Sequence, residues 1–308
     1  MLSITDLNAA RQLGPTAVTI GKFDGIHRGH QALMDELLNS AQKHSLKSVL
    51  VTFDRHPDAL LNPTNLKLPL IGPHQKAELV SAAGVEVLLT LEFDEAFAKQ
   101  TAEDFVLEVL VEALNAKVVV VGEDFRFGAG GAGDVSLLHD LGQRYGFEVR
   151  IVPSATEAGL KVSTSAIRDL LDLGDVSKAS QLLGRTHTTV GMIEHGLKIG
   201  RTIGFPTANM SRDAEGYLPL DGVYAGWLVA DGIRYPAAHS VGINETFQAV
   251  PRLVESHVID RKGVDLYDKV VTLEYVEFIR ASAKFDGVEA LVDEINRDVD
   301  KSRVILGL

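Results

Sequence analysis

Two rhythms of apolar and polar positions divide this chain. In the first half, short β-type runs stand at 17–20, 48–53, 85–91, 118–121 and 148–152, and helical periodicity lies between them near 30–44, 73–83, 102–114 and 135–145. Strands separated by helices predict a parallel sheet with helices on both faces. Ligands of such sheets bind beyond the carboxyl ends of the strands. Gly21–His30, Asp54–Pro57, Gly122–Gly128 and the stretch after Pro153 fall at that edge. From residue 184 the texture changes. Asp231-Gly232 separates the β-type runs Tyr224–Ala230 and Ile233–Ala237, which predicts a type I′ hairpin. Val254–Ile259 and Val270–Phe278 alternate apolar and polar residues, and helical periodicity returns at about 287–298. This half reads as an antiparallel β-barrel or sandwich with a terminal helix. The joint lies near Gly174–Arg185, where Val176–Leu183 reads as a short linking helix.

Composition narrows the class. A length of 308 residues suits two domains, and 45% apolar residues suffice for ordinary cores. The net charge of −12 argues against a nucleic-acid partner, which would want a basic face, but not against a nucleotide substrate. There is no cysteine, which excludes disulfides and thiolate zinc sites. No signal peptide is expected from the first residues, Met1-Leu2-Ser3-Ile4-Thr5-Asp6, and no apolar run approaches the ~20 residues of a membrane span. A cytoplasmic protein is the simplest expectation.

The densest chemistry follows the first β-type run: Gly21-Lys22-Phe23-Asp24-Gly25-Ile26-His27-Arg28-Gly29-His30, leading into a helix. A glycine-rich turn lets backbone approach a bulky anion, and the N–H groups of a helix start favour negative charge. His27 and His30 place two imidazoles at the same end. Together these parts suit a triphosphate held while one phosphorus is attacked. Two histidines three apart also serve as zinc ligands, but no third ligand is identifiable here. Asp24 either caps the turn or meets substrate.

Other segments read less sharply on their own. Ser163-Thr164-Ser165-Ala166-Ile167-Arg168 opens an apparent helix, and its hydroxyls suit an N-cap and a phosphate contact equally. Gly122-Glu123-Asp124-Phe125-Arg126-Phe127-Gly128 reads as a turn carrying two aromatics. The run 128–133 matches G-x-G-x-x-G but stands outside the first βα turn, where a dinucleotide fingerprint belongs, and a mobile loop over the site is expected instead. His56-Pro57 ends the second strand. In the second half, Gly200-Arg201-Thr202-Ile203-Gly204-Phe205-Pro206-Thr207-Ala208-Asn209 can wrap phosphates and offer neutral oxygens to Mg²⁺, or form a surface loop.

The two-histidine H-x-G-H element resembles the signature of nucleotidylyltransferases. Its longer form, G-x-F-D-G-x-H-x-G-H, resembles the bacterial bifunctional riboflavin kinase/FAD synthetases. The other segments resemble that family in the same order: a His-Pro after the second strand, G-x-x-F-x-F-G, Ser-Ser-Thr-x-Ile-Arg with Ser and Thr swapped at two positions, G-R-x-x-G-x-P-T-A-N, and Gly222-Val223-Tyr224-Ala225 for a G-V-Y-A strand start. The resemblance covers nearly the whole chain. It implies an α/β fold with a Rossmann-like nucleotidylyltransferase domain over 1–183 and a riboflavin kinase barrel over 184–308. It implies that the kinase makes FMN from riboflavin and ATP, and that the first domain moves AMP from ATP onto FMN to give FAD and pyrophosphate.

The same resemblance implies the site residues. His27, His30 and Arg168 would stabilise phosphate charge during adenylyl transfer. Gly21, Phe23, Asp24, Gly25, His56, Asp124, Phe125, Phe127, Ser163, Thr164 and Ser165 would bind ATP and FMN. In the kinase, Gly200, Arg201, Gly204, Pro206, Thr207 and Asn209 would hold ATP, with Mg²⁺ on Thr207 and Asn209, and Glu255 would be the base. Partners are riboflavin, FMN, FAD and ATP, with no nucleic acid and no membrane; a homo-oligomer stays open. Two alternatives are a different nucleotidylyltransferase and a flavin-binding sensor with a decayed kinase module. The sequence departs from the family at Glu245 in Glu245-Thr246-Phe247 (for Pro-Thr-Phe), Arg261 in Ile259-Asp260-Arg261 (for Leu-Asp-Phe) and Asp268 in Leu266-Tyr267-Asp268 (for Leu-Tyr-Gly). These charges border the expected flavin end and must either stay solvated or pair; Arg261 and Asp268 are opposite in sign and able to pair across a loop closing on substrate.

Overall fold

A computed structural model describes residues 1–55, 60, 68–157, 159–195, 200, 203–242, 252–261 and 263–308. The chain forms two compact units, one of residues 1–69 and 73–163, the other of residues 70–72 and 164–308.

The first unit is a six-stranded sheet. Its elements are β1 (Leu2–Ile4), α1 (Leu7–Ala10), β2 (Thr16–Ile20), α2 (Arg28–His44), β3 (Lys47–Phe53), α3 (Pro73–Ala82), β4 (Val87–Leu91), α4 (Glu95–Ala98), α5 (Ala102–Phe105), β5 (Ala116–Gly122), α6 (Val135–Tyr145) and β6 (Glu148–Val152). The strand order is β1-β4-β3-β2-β5-β6, and every neighbouring pair is parallel. All five residues of β2 are buried, as are 48–52 of β3 and 118–121 of β5. Burial on both faces is why these strands read as continuous apolar runs. The helix predicted over 102–114 is α5 continued by a π-helix, Val106–Ala113, which buries Val106, Val109, Leu110 and Ala113. β1 and α1 were not predicted. A small hairpin of β7 (Thr156–Glu157) and β8 (Leu160–Lys161) follows the sheet.

The second unit opens with α7 (Thr164–Asp172) and α8 (Val176–Leu183). Both belong to the compact unit of the barrel: the Leu220 N–H donates to the Leu171 carbonyl at 2.8 Å, and α8 packs on the strands β9 (His187–Glu194) and β14 (Val270–Ala281). With β10 (Thr207–Met210), β11 (Gly222–Ala230), β12 (Ile233–Gly242) and β13 (Leu253–Val258) these strands close a barrel in the order β10-β13-β12-β11-β14-β9, antiparallel throughout. The β11–β12 turn has φ of 51° at Asp231 and 75° at Gly232, as a type I′ turn requires. The terminal helix α9 (Val288–Leu306) runs two turns past its predicted end. Long-range ion pairs hold it: Arg280 on β14 bonds both carboxylate oxygens of Asp298, and Arg303 bonds both oxygens of Asp260.

The barrel interior carries two buried histidines. His239 Nε2–H donates to the Glu274 carbonyl at 3.2 Å, so Nδ1 accepts the Ser256 hydroxyl at 2.9 Å. His187 Nε2–H donates to the Tyr217 carbonyl at 2.7 Å. Burial pushes both pKa values down to about 4. In the unfolded chain both would titrate near 6.5. Above that pH both states are neutral and the folded unit keeps its full stability. As pH falls from about 6.5 to 4, the unfolded chain takes up protons that the folded barrel refuses, which removes at most about 3 kcal/mol per histidine. Urea unfolding followed by the fluorescence of Trp227, the single tryptophan, should show this loss. Histidine ring resonances for 187 and 239 that titrate near pH 6.5 in the folded protein would contradict it.

Candidate active sites

Because all six strands of the first sheet are parallel, their carboxyl ends share one edge. β2, β3, β5 and β6 therefore deliver Gly21–His30, Asp54–Arg55, Gly122–Gly128 and the stretch after Pro153 to that edge. The β2–α2 turn has an unusual backbone: φ is 46° at Phe23, 87° at Gly25 and 43° at Ile26. Glycine meets that demand at 25 without cost, but Phe23 and the β-branched Ile26 pay roughly 1–3 kcal/mol each. Both side chains are buried beneath the turn, which anchors it.

His27 is the N-cap of α2, and its Nδ1 accepts the His30 backbone N–H at 3.3 Å. An accepting Nδ1 carries no proton, so the ring is held as the neutral Nε2–H tautomer. The His27 and His30 rings stack at 3.7 Å between centroids with 12° between planes, and the Phe23 ring stands 5.0 Å from His30. Gly29 allows this, since a Cβ there would lie 3.2 Å from the His27 ring. Asp24 is only 5% exposed.

Phe125 and Phe127 stack at 5.5 Å, and Phe127 joins the core through Phe105. Asp124 is exposed and pairs with Lys161 of β8 at 3.2 Å; Arg28 pairs with Glu157 of β7 at 3.5 Å. The glycine run 128–133 closes on itself, because Phe127 and Gly133 exchange backbone hydrogen bonds of 3.1 and 2.9 Å. Ser163 ends the first compact unit, and Thr164, Ser165 and Arg168 begin the second. Arg168 is buried there over the Tyr217 ring, at 5.8 Å from its centroid. The Tyr217 hydroxyl donates to Asp172 at 2.7 Å, and burial together with that carboxylate pushes its pKa up to about 12. His56 lies outside the described residues.

The barrel builds a second cluster. Along β13, Val254, Ser256 and Val258 are buried, which puts Glu255 and His257 on the other face of the strand. In the β10–β13 register Thr207 faces His257 and Asn209 faces Glu255. The Thr207 hydroxyl donates to Glu255 Oε2 at 3.1 Å, and His257 Nδ1–H donates to the Pro206 carbonyl at 2.9 Å. Gly200 takes the Phe205 N–H on its carbonyl at 2.8 Å, and a Cβ at 200 would stand 2.2 Å from the Phe205 oxygen, so only glycine permits this closure. Gly204 has φ of 92°. Arg201 and Glu245 lie outside the described residues.

Of the two alternatives weighed for the charged positions, the structure without substrate shows the unpaired one. Arg261 and Asp268 form no ion pair with each other. Asp268 instead occupies a turn with φ of 59°, and its N–H donates to the Ile193 carbonyl at 3.0 Å. The position asks for left-handed backbone, which Gly adopts freely and Asp tolerates. Asp268→Gly should therefore change barrel stability by less than about 1 kcal/mol, whereas Asp268→Val should cost about 1–3 kcal/mol. Equal melting points for the two variants would refute the conformational account.

Two further contributors were not singled out from the sequence. His257 stands two residues past Glu255, on the same face of β13, but carried no motif of its own. Lys76, on α3, donates from Nζ to the Lys22 carbonyl at 2.9 Å and to Thr52 Oγ1 at 3.2 Å. A lysine on an ordinary helix 50 residues past a turn gives no pattern that would reveal this.

A family model described as FAD synthetase matches residues 9–166, and one described as riboflavin kinase matches residues 183–306. A bifunctional riboflavin kinase/FMN adenylyltransferase of Escherichia coli K12 is 34% identical over 99% of this chain and 97% of its own length. The protein so described in Listeria monocytogenes is 34% identical over 93% of this chain and 91% of its own. Among solved structures, a Streptococcus pneumoniae protein described as a macrolide-efflux protein superposes with a TM-score of 0.88 at 34% identity, over 98% of this chain and 99% of that one. No helix among the described residues is long and apolar enough to cross a membrane.

Proposed function

Since the chain belongs to the bifunctional riboflavin kinase/FMN adenylyltransferase family, we propose that each cluster performs one of two successive ATP-dependent steps on a flavin. We assign adenylyl transfer to residues 1–183 and the kinase to residues 184–308, in the cytoplasm, with no nucleic-acid or membrane partner. The observation that carries the two-step reading is the presence, in one chain, of the stacked His27–His30 pair at a parallel-sheet edge and the Thr207–Glu255 hydrogen bond on a barrel.

In the kinase, the ribityl hydroxyl of riboflavin attacks the γ-phosphorus of ATP, FMN forms and ADP leaves. Glu255 accepts the hydroxyl proton. The Thr207 bond fixes the Glu255 carboxylate, while Gly200, Arg201, Gly204 and Pro206 wrap the nucleotide. Among the described residues no group of three or more acidic, histidine or cysteine side chains could hold a metal ion. Thr207, Asn209 and Glu255 supply oxygen donors with a single negative charge, which fits Mg²⁺ arriving on nucleotide phosphates, with Thr207 and Asn209 as its protein contacts. When bound, the ion neutralises charge on the transferring phosphoryl group.

In adenylyl transfer, a phosphate oxygen of FMN attacks the α-phosphorus of ATP and pyrophosphate leaves. His27 and His30, the hydroxyls of Ser163, Thr164 and Ser165, and the Arg168 guanidinium stabilise charge on the phosphates. Gly21, Asp24 and Gly25 shape the turn that receives them. His56, Asp124 and Phe125 complete the ATP and flavin contacts, while the buried rings of Phe23 and Phe127 support the turn and the loop that carry them. No covalent intermediate is needed. Incubation with riboflavin, ATP and Mg²⁺, with products separated by chromatography, tests the reading. FAD supports both steps, FMN alone leaves a kinase, and flavin bound but unconverted means a sensor.

A further inference from the structure

We propose that Lys76 is a positioning residue for adenylyl transfer: its ammonium ties down the strained β2–α2 turn and so aligns His27 and His30. The proposal rests on the adenylyl-transfer reading of that turn. Its basis is geometric. The turn must hold Phe23, Gly25 and Ile26 at positive φ, a set of conformations that persists only when surrounding contacts over-determine it. Its exit is secured within α2, where Gln31 Nε2 donates to the Ile26 carbonyl at 3.1 Å. Its entry is the Lys22 carbonyl, the group immediately before the first left-handed residue. Two donors converge on that oxygen: Thr52 Oγ1 of β3 at 3.1 Å and Lys76 Nζ of α3 at 2.9 Å. Lys76 also bonds Thr52 itself at 3.2 Å, so the three groups form a closed triangle. Of the two donors, the ammonium is charged, and a charge-assisted bond is about twice as strong as a neutral one.

Lys76→Met and Lys76→Arg test the proposal, since arginine can reach both oxygens and methionine neither. The Met variant should lose up to about 100-fold in the turnover of FAD synthesis, the scale of a small misplacement of reacting groups. Its ATP KM should change less than its kcat, FMN formation should be unaffected, and the Arg variant should recover most of the loss. A second readout does not depend on activity. Diethyl pyrocarbonate labelling of His27, mapped by mass spectrometry, should accelerate several-fold in the Met variant only, with His187 in the barrel as an unchanged control. FAD synthesis within twofold of the parent in Lys76→Met overturns the proposal. So does a loss that arginine fails to rescue with His27 labelling unchanged. A parent that makes FMN but no FAD strikes the adenylyl-transfer reading instead, and the labelling then decides the tether alone.

Discussion

Replacing His27 and His30 together by alanine is expected to abolish FAD formation and to leave riboflavin phosphorylation near the parent rate. In the proposed role each imidazole is a preorganised donor toward phosphate, and loss of one such donor typically costs about 10²-fold or more. The two are not independent. Their rings stack at 3.7 Å, and the His30 N–H bonds His27 Nδ1, so removing either disturbs the other. The double variant also loses the N-cap of α2, worth about 1 kcal/mol, so its melting temperature should fall slightly. His27→Asn separates these effects: asparagine restores an N-cap acceptor yet cannot replace the imidazole, and should remain defective in FAD formation. Chromatography of products from riboflavin and from supplied FMN would settle the matter. Substantial FAD synthesis by the double variant would sink the assignment of this turn.

Why one part of this molecule was legible and another not depends on the range of the interactions involved. β2, β3 and β5 are buried along almost their whole length, so their apolar runs stand out without help from context. The β11–β12 hairpin is encoded in two adjacent residues, Asp231 and Gly232, whose local φ preferences suffice. β1 has only three residues, two of them exposed; its strand character comes from pairing with β4, 85 residues away in the register Leu2 with Val87. The π-helix of Val106–Ala113 shows the same apolar spacing as an α-helix, and only tertiary packing separates them. The last two turns of α9 bury Val299 and Ser302 but leave Val304 exposed, so they carry little apolar periodicity, and Arg303 there bonds Asp260.

The candidate sites divide the same way. The Gly21–His30 turn and the Gly200–Asn209 segment are contiguous, so a motif announces them. Lys76 and Thr52 reach the turn from two other elements and announce nothing. For Arg261 and Asp268 opposite charge left pairing and solvation both open, and it did not reveal the left-handed backbone at Asp268.

Glu255→Gln is expected to suppress FMN formation by about 10²–10⁴-fold while supplied FMN is still converted to FAD. The substitution preserves shape and keeps an amide oxygen to accept the Thr207 hydroxyl, now 3.1 Å from Oε2, so the β10–β13 pairing should survive. What it removes is the ability to take a proton from the ribityl hydroxyl. Loss of that ability should fall on kcat for the kinase step, with the ATP KM little changed, because the Gly200–Asn209 segment, and not Glu255, is the proposed nucleotide contact. The opposite strand matters as a control. Thr207→Val deletes the hydroxyl that orients Glu255 and one proposed contact to the metal-bound nucleotide, so it should raise the ATP KM as well as lower kcat. Two results would defeat this account. Unaltered FMN formation by Glu255→Gln would reduce Glu255 to a solvent-facing strand carboxylate. Equal loss of both activities, with folding unchanged, would show that adenylyl transfer and phosphorylation are not housed in separate modules.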